Sequence, residues 1–316
     1  MNKRTFIRQS VILAAGAPLL SLACSLGVGK DGEKGGNGQQ ASSGDQPGPL
    51  PYLDQIGLQV YTVRDQMAEN ARLTLQTLAE IGYKQVELYD FGNLEAHRAI
   101  CADVGLAVNS IHIGSVVVTG RWELTPDDTP LAFEELLNRA KLADIKHLVV
   151  PYLHQAERED LDSYKIFCDQ FNRAGELAKQ AGISLSYHNH NFEFDSMEGS
   201  NGFAVMQERF DPDLVSFELD VFWAKIAGQE PMDLMRNLGG RLKLLHLKDL
   251  HSGIGTMTSL DKVPDRAFEE IGDGIIDMKA IMRLGAQLGV AHCFVEQDRS
   301  TDPMQSVTKS FDFLNA

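Results

Sequence analysis

The sequence predicts a (β/α)8 barrel that follows an export signal and a flexible linker. From residue 56 onward, short apolar runs of strand-forming residues alternate with longer segments of helical periodicity. Eight strand–helix units in about 260 residues match the usual size of this barrel. A doubly wound open sheet is the competing fold, but it would usually show a Gly-rich loop after its first strand. Val63, Arg64 and Asp65 stand at that position, which favours the barrel.

Residues 1–24 predict an export signal. Lys3, Arg4 and Arg8 precede an apolar run over 11–23. That run is shorter than the roughly 20 residues of a membrane span, and Gly and Pro interrupt it. The alternative is a buried N-terminal helix. The chain is therefore expected to be exported to the periplasm or the membrane surface.

Two short motifs refine the prediction of export. Residues 2–8 resemble a twin-arginine signal in which Lys3 replaces the first arginine. Residues 21–24 resemble a lipobox that ends at Cys24, although Ser21 stands where a large aliphatic residue is usual. We therefore expect a lipid anchor at Cys24, with simple cleavage as the alternative.

The segment 25–51 is rich in Gly, Ser, Gln, Asp and Pro, and this composition predicts a disordered linker. The barrel domain is expected to occupy residues 52–316. The net charge of the chain is −15, and removal of the signal's three basic residues makes it about −18. Because phosphate neutralisation supplies most nucleic-acid affinity, this acidity argues against a nucleic-acid partner. Cys101, Cys168 and Cys293 form no disulfide or zinc pattern and are expected in the core.

The strand and helix candidates follow the order of a barrel. The strands are expected at Gly57–Thr62, Gln85–Tyr89, Ala107–His112, His147–Pro151, Ile183–His188, Val215–Asp220, Leu242–Leu247 and His292–Glu296. Most are nearly continuous in Val, Ile and Leu, as is usual for parallel strands covered on both faces. Helical periodicity is clear in Ala71–Ile81, Ala132–Ala143, Tyr164–Ala181 and Met278–Leu288, and three of these segments stop at a glycine.

Polar residues concentrate at the carboxyl ends of the strand candidates, where a barrel builds its active site. Four successive strands end with His188, Asp220, His246 and Glu296. A single histidine there is often a structural hydrogen-bonding residue, and a single aspartate often caps the next helix. Imidazoles and carboxylates that converge from four strands instead indicate a divalent metal site.

These residues carry a resemblance to a known family. The chain resembles the xylose isomerase-like TIM barrel superfamily, in its sugar phosphate isomerase/epimerase branch. The similarity extends over nearly the whole domain, and its most specific motifs are Tyr187-His188-Asn189-His190-Asn191-Phe192-Glu193-Phe194, Leu219-Asp220, His246-Leu247-Lys248-Asp249 and Gly272-Asp273-Gly274. The resemblance implies one divalent metal, usually Mn²⁺, with Mg²⁺, Co²⁺ and Zn²⁺ as alternatives.

The resemblance also implies the ligands, which are usually Glu, Asp, His and Glu from strands five to eight. Asp220, His246 and Glu296 match the last three of these positions. His188 stands where Glu is usual, so either His188 is the fourth ligand or Glu193 reaches the metal instead. Trp223 replaces a second histidine of the endonuclease IV relatives, which argues against a three-zinc DNA repair site.

The resemblance implies chemistry through an enediolate, in which a base removes the proton beside a carbonyl group. Glu296 is expected to act as this base, with His190 or Glu193 as the second acid/base group. The side chains expected to contact the substrate are those of His112, Lys248, Gln59 and Glu87. An alternative for Lys248 is a surface ion pair with Asp249.

The expected substrate is a small sugar or keto-sugar without phosphate, because free sugar phosphates are cytoplasmic and no cluster of basic residues follows the strands. Reprotonation of the enediolate gives isomerisation or epimerisation. Loss of a β-leaving group gives elimination, as in lyases or hydrolases of 3-keto-glycosides. A non-catalytic carbohydrate-binding lipoprotein is the alternative from another class. The sequence leaves the oligomeric state open.

Overall fold

The computed structural model describes residues 48–316, and the predicted fold is confirmed there. Eight parallel strands form a closed barrel in the order β1-β8-β7-β6-β5-β4-β3-β2. They are β1 (Gly57–Gln59), β2 (Gln85–Leu88), β3 (Ala107–His112), β4 (His147–Val150), β5 (Ser184–His188), β6 (Val215–Asp220), β7 (Leu242–Leu247) and β8 (His292–Val295). The predicted export signal, Cys24 and residues 25–47 of the predicted linker lie outside the described residues.

Helices cover the outer face of the barrel. They are α1 (Arg64–Ile81), α2 (Leu94–Val104), α3 (Ser115–Thr119), α4 (Phe133–Leu142), α5 (Leu161–Ala181), α6 (Gly202–Arg209), α7 (Val221–Ile226), α8 (Pro231–Leu238), α9 (Met278–Leu288) and α10 (Pro303–Asn315). The predicted segment Met278–Leu288 is confirmed without change. Helix α1 begins earlier than predicted, at Arg64, and contains a kink at Asn70 with non-helical backbone angles. Among the described residues, no helix combines the length and apolar character that a membrane crossing requires.

The first strand is shorter than predicted. Strand β1 ends at Gln59, and a 3-10 turn occupies Val60–Val63. The turn begins because the Gln59 side chain accepts a hydrogen bond of 3.0 Å from the backbone N–H of Tyr61. Such a side-chain cap satisfies a backbone donor that would otherwise pair in the sheet. The prediction that strand one extends to Thr62 is therefore wrong.

Two apolar regions support the barrel. The larger lies between the strands and the helices, and it contains the buried, unpaired Cys101, Cys168 and Cys293, as predicted. The smaller lies inside the barrel, where Val149 and Phe294 pack with a leucine of β7. Because this inner cluster fills the barrel interior, side chains further along the same strands face the open carboxyl end.

Strand register determines which polar side chains meet at that end. Asp220 pairs with His246 across β6 and β7, and His188 pairs with Glu218 across β5 and β6. Side chains two residues apart on one strand share a face, so Glu218 and Asp220 both point into the barrel. Strand pairing alone therefore makes these side chains neighbours.

A long connection after β7 is fastened by Asp249. Its carboxylate accepts hydrogen bonds from the backbone N–H groups of Leu250, Gly272, Gly274 and Ile276, at 2.9, 3.0, 3.3 and 3.0 Å. A Cβ atom at Gly274 would collide with this carboxylate, so the contact requires glycine there. Residues 272–276 are thereby held against the end of β7.

Substitution of Gly175 tests the close packing of α5 against the chain before β6. A Cβ atom at Gly175 would lie 2.9 Å from the carbonyl oxygen of Leu214. Gly to Ala in a helix normally stabilises by about 1 kcal/mol, but this contact is with backbone and cannot easily relax. We expect Gly175→Ala to lower the free energy of unfolding by about 1–3 kcal/mol in urea titrations.

The matched control is Gly240→Ala, because a Cβ atom there meets nothing within 4 Å. This variant should unfold at the wild-type urea concentration. Equal stability of the two variants would contradict the close approach of α5 to Leu214.

Candidate metal centre at the barrel mouth

Nine titratable side chains meet at the carboxyl end of the barrel, and we call them the mouth cluster. They are Glu87, His112, His188, Glu218, Asp220, His246, Lys248, Glu296 and Asp298. All are buried except Asp298, which is partly buried. Five carboxylates thus share a small, poorly solvated volume with three imidazoles and one ammonium group. Such an arrangement needs positive charge to be stable.

His246 lies at the centre of the cluster. Its Nδ1 atom is 2.9 Å from Glu296 Oε2 and 4.0 Å from Asp220 Oδ2. These three residues can offer ligand atoms that all lie within 4.8 Å of one another. His188 adds a second imidazole, with Nε2 3.9 Å from Asp220 Oδ2. The structure therefore brings three of the four predicted ligands into one group and places the fourth beside it.

The donor set fits a divalent metal. Imidazole nitrogens and carboxylate oxygens are the ligands that Zn²⁺, Mn²⁺ and related ions take in proteins. Within the described part of the chain, the buried Asp220 Oδ2 forms an ion pair with Lys248 Nζ at 3.0 Å but accepts no hydrogen bond of normal geometry. Since a buried carboxylate oxygen rarely stays unsatisfied, this atom is well suited to a metal.

Lys248 is the ammonium group of the mouth cluster. Its Nζ atom lies 2.7 Å from Glu296 Oε2, 3.0 Å from Asp220 Oδ2 and 2.9 Å from Asp298 Oδ2. Burial alone would lower the pKa of Lys248, but the surrounding carboxylates outweigh burial and raise this pKa well above its usual value. The alternative of a surface pair with Asp249 is wrong, because strand alternation turns Asp249 away and the backbone satisfies it.

A lower layer of the cluster contains Glu87 and Glu218, and the sequence motifs predict no ligand or orienting role for Glu218. His246 Nε2 lies 2.6 Å from Glu87 and 3.2 Å from Glu218. His112 Nε2 lies 3.0 and 3.1 Å from the same two carboxylates. Burial, together with the charge of Glu87, raises the pKa of Glu218 to about 7. Its spacing of two residues from Asp220 is the signal that could have placed Glu218 on this face.

Three predicted substrate-binding residues lie in this lower layer. Gln59 Nε2 donates a hydrogen bond of 2.9 Å to Glu87 Oε2, and Ser110 also donates to Glu87. Gln59 and Glu87 are fully buried, whereas His112 is 8% exposed. Substrate contact by Gln59, Glu87 and His112 stays a prediction, and the structure shows them bound mainly to one another.

The loop after β5 places His190 beside the predicted metal ligands. The His190 ring lies 5.2 Å from the His188 ring, between Phe192 at 5.4 Å and Trp223 at 5.1 Å, measured between centroids. Burial lowers the pKa of His190 to about 3, so its imidazole is neutral at physiological pH. A neutral ring close to the mouth can donate a hydrogen bond from one nitrogen and accept one at the other. An acid/base role for His190 stays a prediction.

Glu193 is set apart from the mouth cluster. Its carboxylate accepts a hydrogen bond of 2.6 Å from the Tyr187 hydroxyl and one of 2.9 Å from the backbone N–H of His190. Burial raises the pKa of Glu193 to about 7. Since both oxygens are engaged by the protein, the geometry favours His188 over Glu193 beside Asp220. A direct catalytic role for Glu193 stays a prediction.

The fold and the mouth cluster define the class: a (β/α)8 barrel with a metal-binding donor set at the carboxyl ends of its strands. Comparison with known proteins then identifies the family. The chain belongs to the xylose isomerase-like TIM barrel family, whose family model matches residues 75–316. The resemblance seen in the sequence motifs is thereby confirmed.

Several relatives share this fold. The chain is 26% identical to an inosose dehydratase from Bacillus cereus over 156 residues, which are 46% of this chain and 52% of that protein. It therefore spans about half the length of the curated relatives it matches. A crystal structure of a sugar phosphate isomerase/epimerase from Parabacteroides distasonis is 26% identical, has a TM-score of 0.67, and is matched over 87% of this chain and 97% of that one.

A third similar structure is that of the IOLI protein with a bound zinc atom. It has a TM-score of 0.61 at 15% identity, and the match covers 83% of this chain and 98% of that one. At this identity the similarity shows the shared barrel fold.

Removal of the ammonium group tests the charge balance of the mouth. We expect Lys248→Met to lower the free energy of unfolding by about 3–5 kcal/mol in EDTA, because three carboxylates lose their buried cation. Addition of a divalent cation should restore part of this loss, since the cation binds only the folded state. Urea unfolding with and without the cation measures both effects.

Lys225→Met is the matched control. Lys225 pairs with Glu230 at 2.7 Å, but both side chains are substantially solvated. Exposed pairs contribute at most about 1 kcal/mol, so the control should change stability little. A similar small loss in both variants would contradict the proposed charge balance.

Proposed function

We propose that this chain is a divalent-metal-dependent enzyme that isomerises or epimerises a sugar or keto-sugar. The reaction would begin with removal of the proton on the carbon next to a carbonyl group. The proposal depends on one observation, the convergence of His246 Nδ1, Asp220 Oδ2 and Glu296 Oε2 at the barrel mouth. Two of the similar proteins support the proposal, because one is named as an inosose dehydratase and the other as a sugar phosphate isomerase/epimerase.

The residues that would hold the metal are His188, Asp220, His246 and Glu296. When bound, the metal supplies a Lewis acid that polarises the substrate carbonyl and eases loss of the neighbouring proton. We propose Mn²⁺ as the resident ion, with Zn²⁺, Co²⁺ and Mg²⁺ as alternatives. Two imidazoles among four ligands favour the transition metals over Mg²⁺, which prefers oxygen ligands and water. The zinc atom of the similar IOLI structure agrees with a site of this kind.

The chain's own residues would move the proton and stabilise charge. A Glu296 carboxylate oxygen would accept the proton from carbon. Within the described residues, His190 Nδ1 is buried and has no hydrogen-bond partner, so it would exchange a proton with the substrate as second acid/base. The Lys248 ammonium would stabilise negative charge that develops on a substrate oxygen.

The charge of the mouth argues for a substrate without phosphate. Five carboxylates of the mouth cluster face one ammonium group, and three of those carboxylates already surround Lys248 Nζ. Lys248 is already paired, and the divalent ion would be surrounded by its own carboxylate ligands, so the cluster leaves no ammonium group free to bind a phosphate. We therefore propose a neutral sugar, keto-sugar or glycoside.

A second candidate function uses the same first step. If the carbon beside the newly formed anion carries a leaving group, its loss gives elimination, as in a dehydratase or a lyase of 3-keto-glycosides. The similarity to inosose dehydratase is the observation that favours this outcome. The position of the leaving group on the substrate would decide between the two reactions.

Solvent deuterium incorporation tests the proposed chemistry. The chelated protein is reloaded with Mn²⁺ and incubated in D2O with a panel of ketoses and 3-keto-glycosides, and the products are examined by NMR. We expect metal-dependent deuterium at the carbon beside a carbonyl, and a rate at least about 10²-fold lower for Glu296→Gln. An epimer or isomer supports the first candidate, and an unsaturated product supports the second.

Glu157→Gln provides the control, because Glu157 is buried outside the mouth cluster and binds Ser115, Thr119 and the backbone of His154. Its exchange rate should match that of the wild type. If the protein binds sugar but exchanges no deuterium with any metal tested, it is a carbohydrate-binding protein and the proposed enzymatic function is wrong.

We further propose that the chain is exported and anchored to a membrane by a lipid on Cys24. The support is the motif sequence of residues 1–24 and the linker-like composition that follows. In a diderm bacterial host, the full-length protein should fractionate with membranes and incorporate labelled palmitate. Cys24→Ser should abolish labelling, whereas Cys101→Ser, a core substitution, should leave it intact. Equal labelling of Cys24→Ser and wild type would contradict the anchor.

A further inference from the structure

Glu218 lies next to the predicted metal ligands but has no role in the proposed proton transfer. It is fully buried on β6, and its ion pairs among the described residues are all with imidazoles. A single oxygen, Oε2, lies 3.0 Å from His188 Nδ1, 3.1 Å from His112 Nε2 and 3.2 Å from His246 Nε2. The other oxygen, Oε1, is buried and has no hydrogen-bond partner in the described part of the chain. The histidines therefore provide all the polar contacts of this carboxylate.

The contact with His188 decides which nitrogen of that ring can bind a cation. A neutral imidazole has one N–H group and one lone pair, on different nitrogens. The imidazoles of His112 and His246 favour the ionised form of Glu218. An ionised carboxylate can only accept, so its contact with His188 places the hydrogen on His188 Nδ1. The lone pair then lies on Nε2, which faces Asp220 Oδ2 at 3.9 Å. The opposite tautomer would turn an N–H group toward the site and could not coordinate a metal.

His246 differs from His188, because both of its nitrogens contact carboxylates and Nδ1 would lose its hydrogen on binding a metal. Its Nε2 atom lies 2.6 Å from Glu87 Oε2, which leaves Nδ1 directed at Glu296 and Asp220. Glu87 is held independently by Gln59 and Ser110. Glu218 is held by His112 and His246 as well as by His188, and its 3.0 Å contact with His188 Nδ1 is the shortest of the three.

We infer that Glu218 is a positioning residue that orients the His188 imidazole and fixes its tautomer, so that Nε2 becomes a ligand of the divalent metal. This inference rests on the proposed function, because it assumes that the mouth binds a metal. The strand register supports it, since His188 and Glu218 are direct neighbours across β5 and β6. Carboxylates that bind the second nitrogen of a ligating histidine commonly change metal affinity by 10- to 100-fold.

Metal affinity of the Glu218→Gln variant is the first measurement. The full-length protein is stripped of metal and titrated with Mn²⁺ and Co²⁺ against a chromophoric chelator. We expect the dissociation constant to rise about 10- to 100-fold, because the amide holds no charge and can present either N–H or C=O to His188. The visible absorption of bound Co²⁺ should also change, because it reports ligand geometry and not folding alone. Glu157→Gln is the control and should bind as the wild type does.

Measuring Glu218→Gln in a His188→Glu variant separates an effect on His188 from an effect on overall stability. In His188→Glu, the new carboxylate can still bind a metal but cannot donate a hydrogen bond to Glu218. The two carboxylates repel, so adding Glu218→Gln to this variant should leave affinity unchanged or strengthen it. Glu218→Gln should therefore weaken metal binding in the wild type, but leave it unchanged or strengthen it in the His188→Glu variant. Equal weakening in both backgrounds would overturn the inference.

The outcomes distinguish this inference from the proposed function. A wild-type protein that binds neither Mn²⁺ nor Co²⁺ overturns both. A wild type that binds them, together with a Glu218→Gln variant of equal affinity and equal Co²⁺ spectrum, overturns only the role of Glu218. If Glu218→Gln fails to fold, Glu218→Asp takes its place, because the shorter side chain keeps the charge but draws the acceptor away from His188 Nδ1. Mn²⁺ affinity should then fall, and wild-type affinity of Glu218→Asp would overturn the role of Glu218.

Discussion

The burial of several carboxylates at one end of a closed barrel is the constraint on which the site depends. Each ionised group loses water there, and Coulomb repulsion between neighbours adds to that cost. Lys248 offsets part of the negative charge, and the imidazoles of His188 and His246 provide hydrogen bonds below it. The remaining excess of acidic oxygens explains why a divalent cation suits this mouth better than further amino groups would.

Much of the fold and part of the site could be predicted from residue order alone. Runs of strand-forming residues, and glycines at the ends of helical segments, indicated the units of the barrel. Because strand ends converge at the barrel mouth, Asp220, His246 and Glu296 could be predicted as neighbours. The partners of each side chain were harder to predict, because they depend on register between strands that are distant in sequence. Glu218 reaches His112 from a position 106 residues away. Lys248 binds Asp298, although Asp249 adjoins it in the chain.

Membership in the family is informative about the first step of a reaction, but it does not determine which product forms. Inosose dehydratase and a sugar phosphate isomerase/epimerase are both among the similar proteins, and proton removal beside a carbonyl is a first step that can serve either reaction. A rigid site at the strand ends can supply this shared step, whereas connecting loops determine which substrate reaches it. The names of these relatives agree with the proposed proton transfer on a sugar-like molecule, whose substrate would decide the outcome.

The fastening of residues 272–276 by Asp249 has an evolutionary consequence. The connection after β7 leaves the barrel at Leu250, which pairs with Phe268 in a short antiparallel ladder, and it returns at a fixed point. The mostly exposed residues 252–256 can therefore change in length and composition without moving β7. Insertions at such anchored loops cost little in chain entropy. Natural variants or grafted segments at 252–256 would thus give a route by which barrels of this kind acquire new substrates while the buried carboxylates and histidines stay in place.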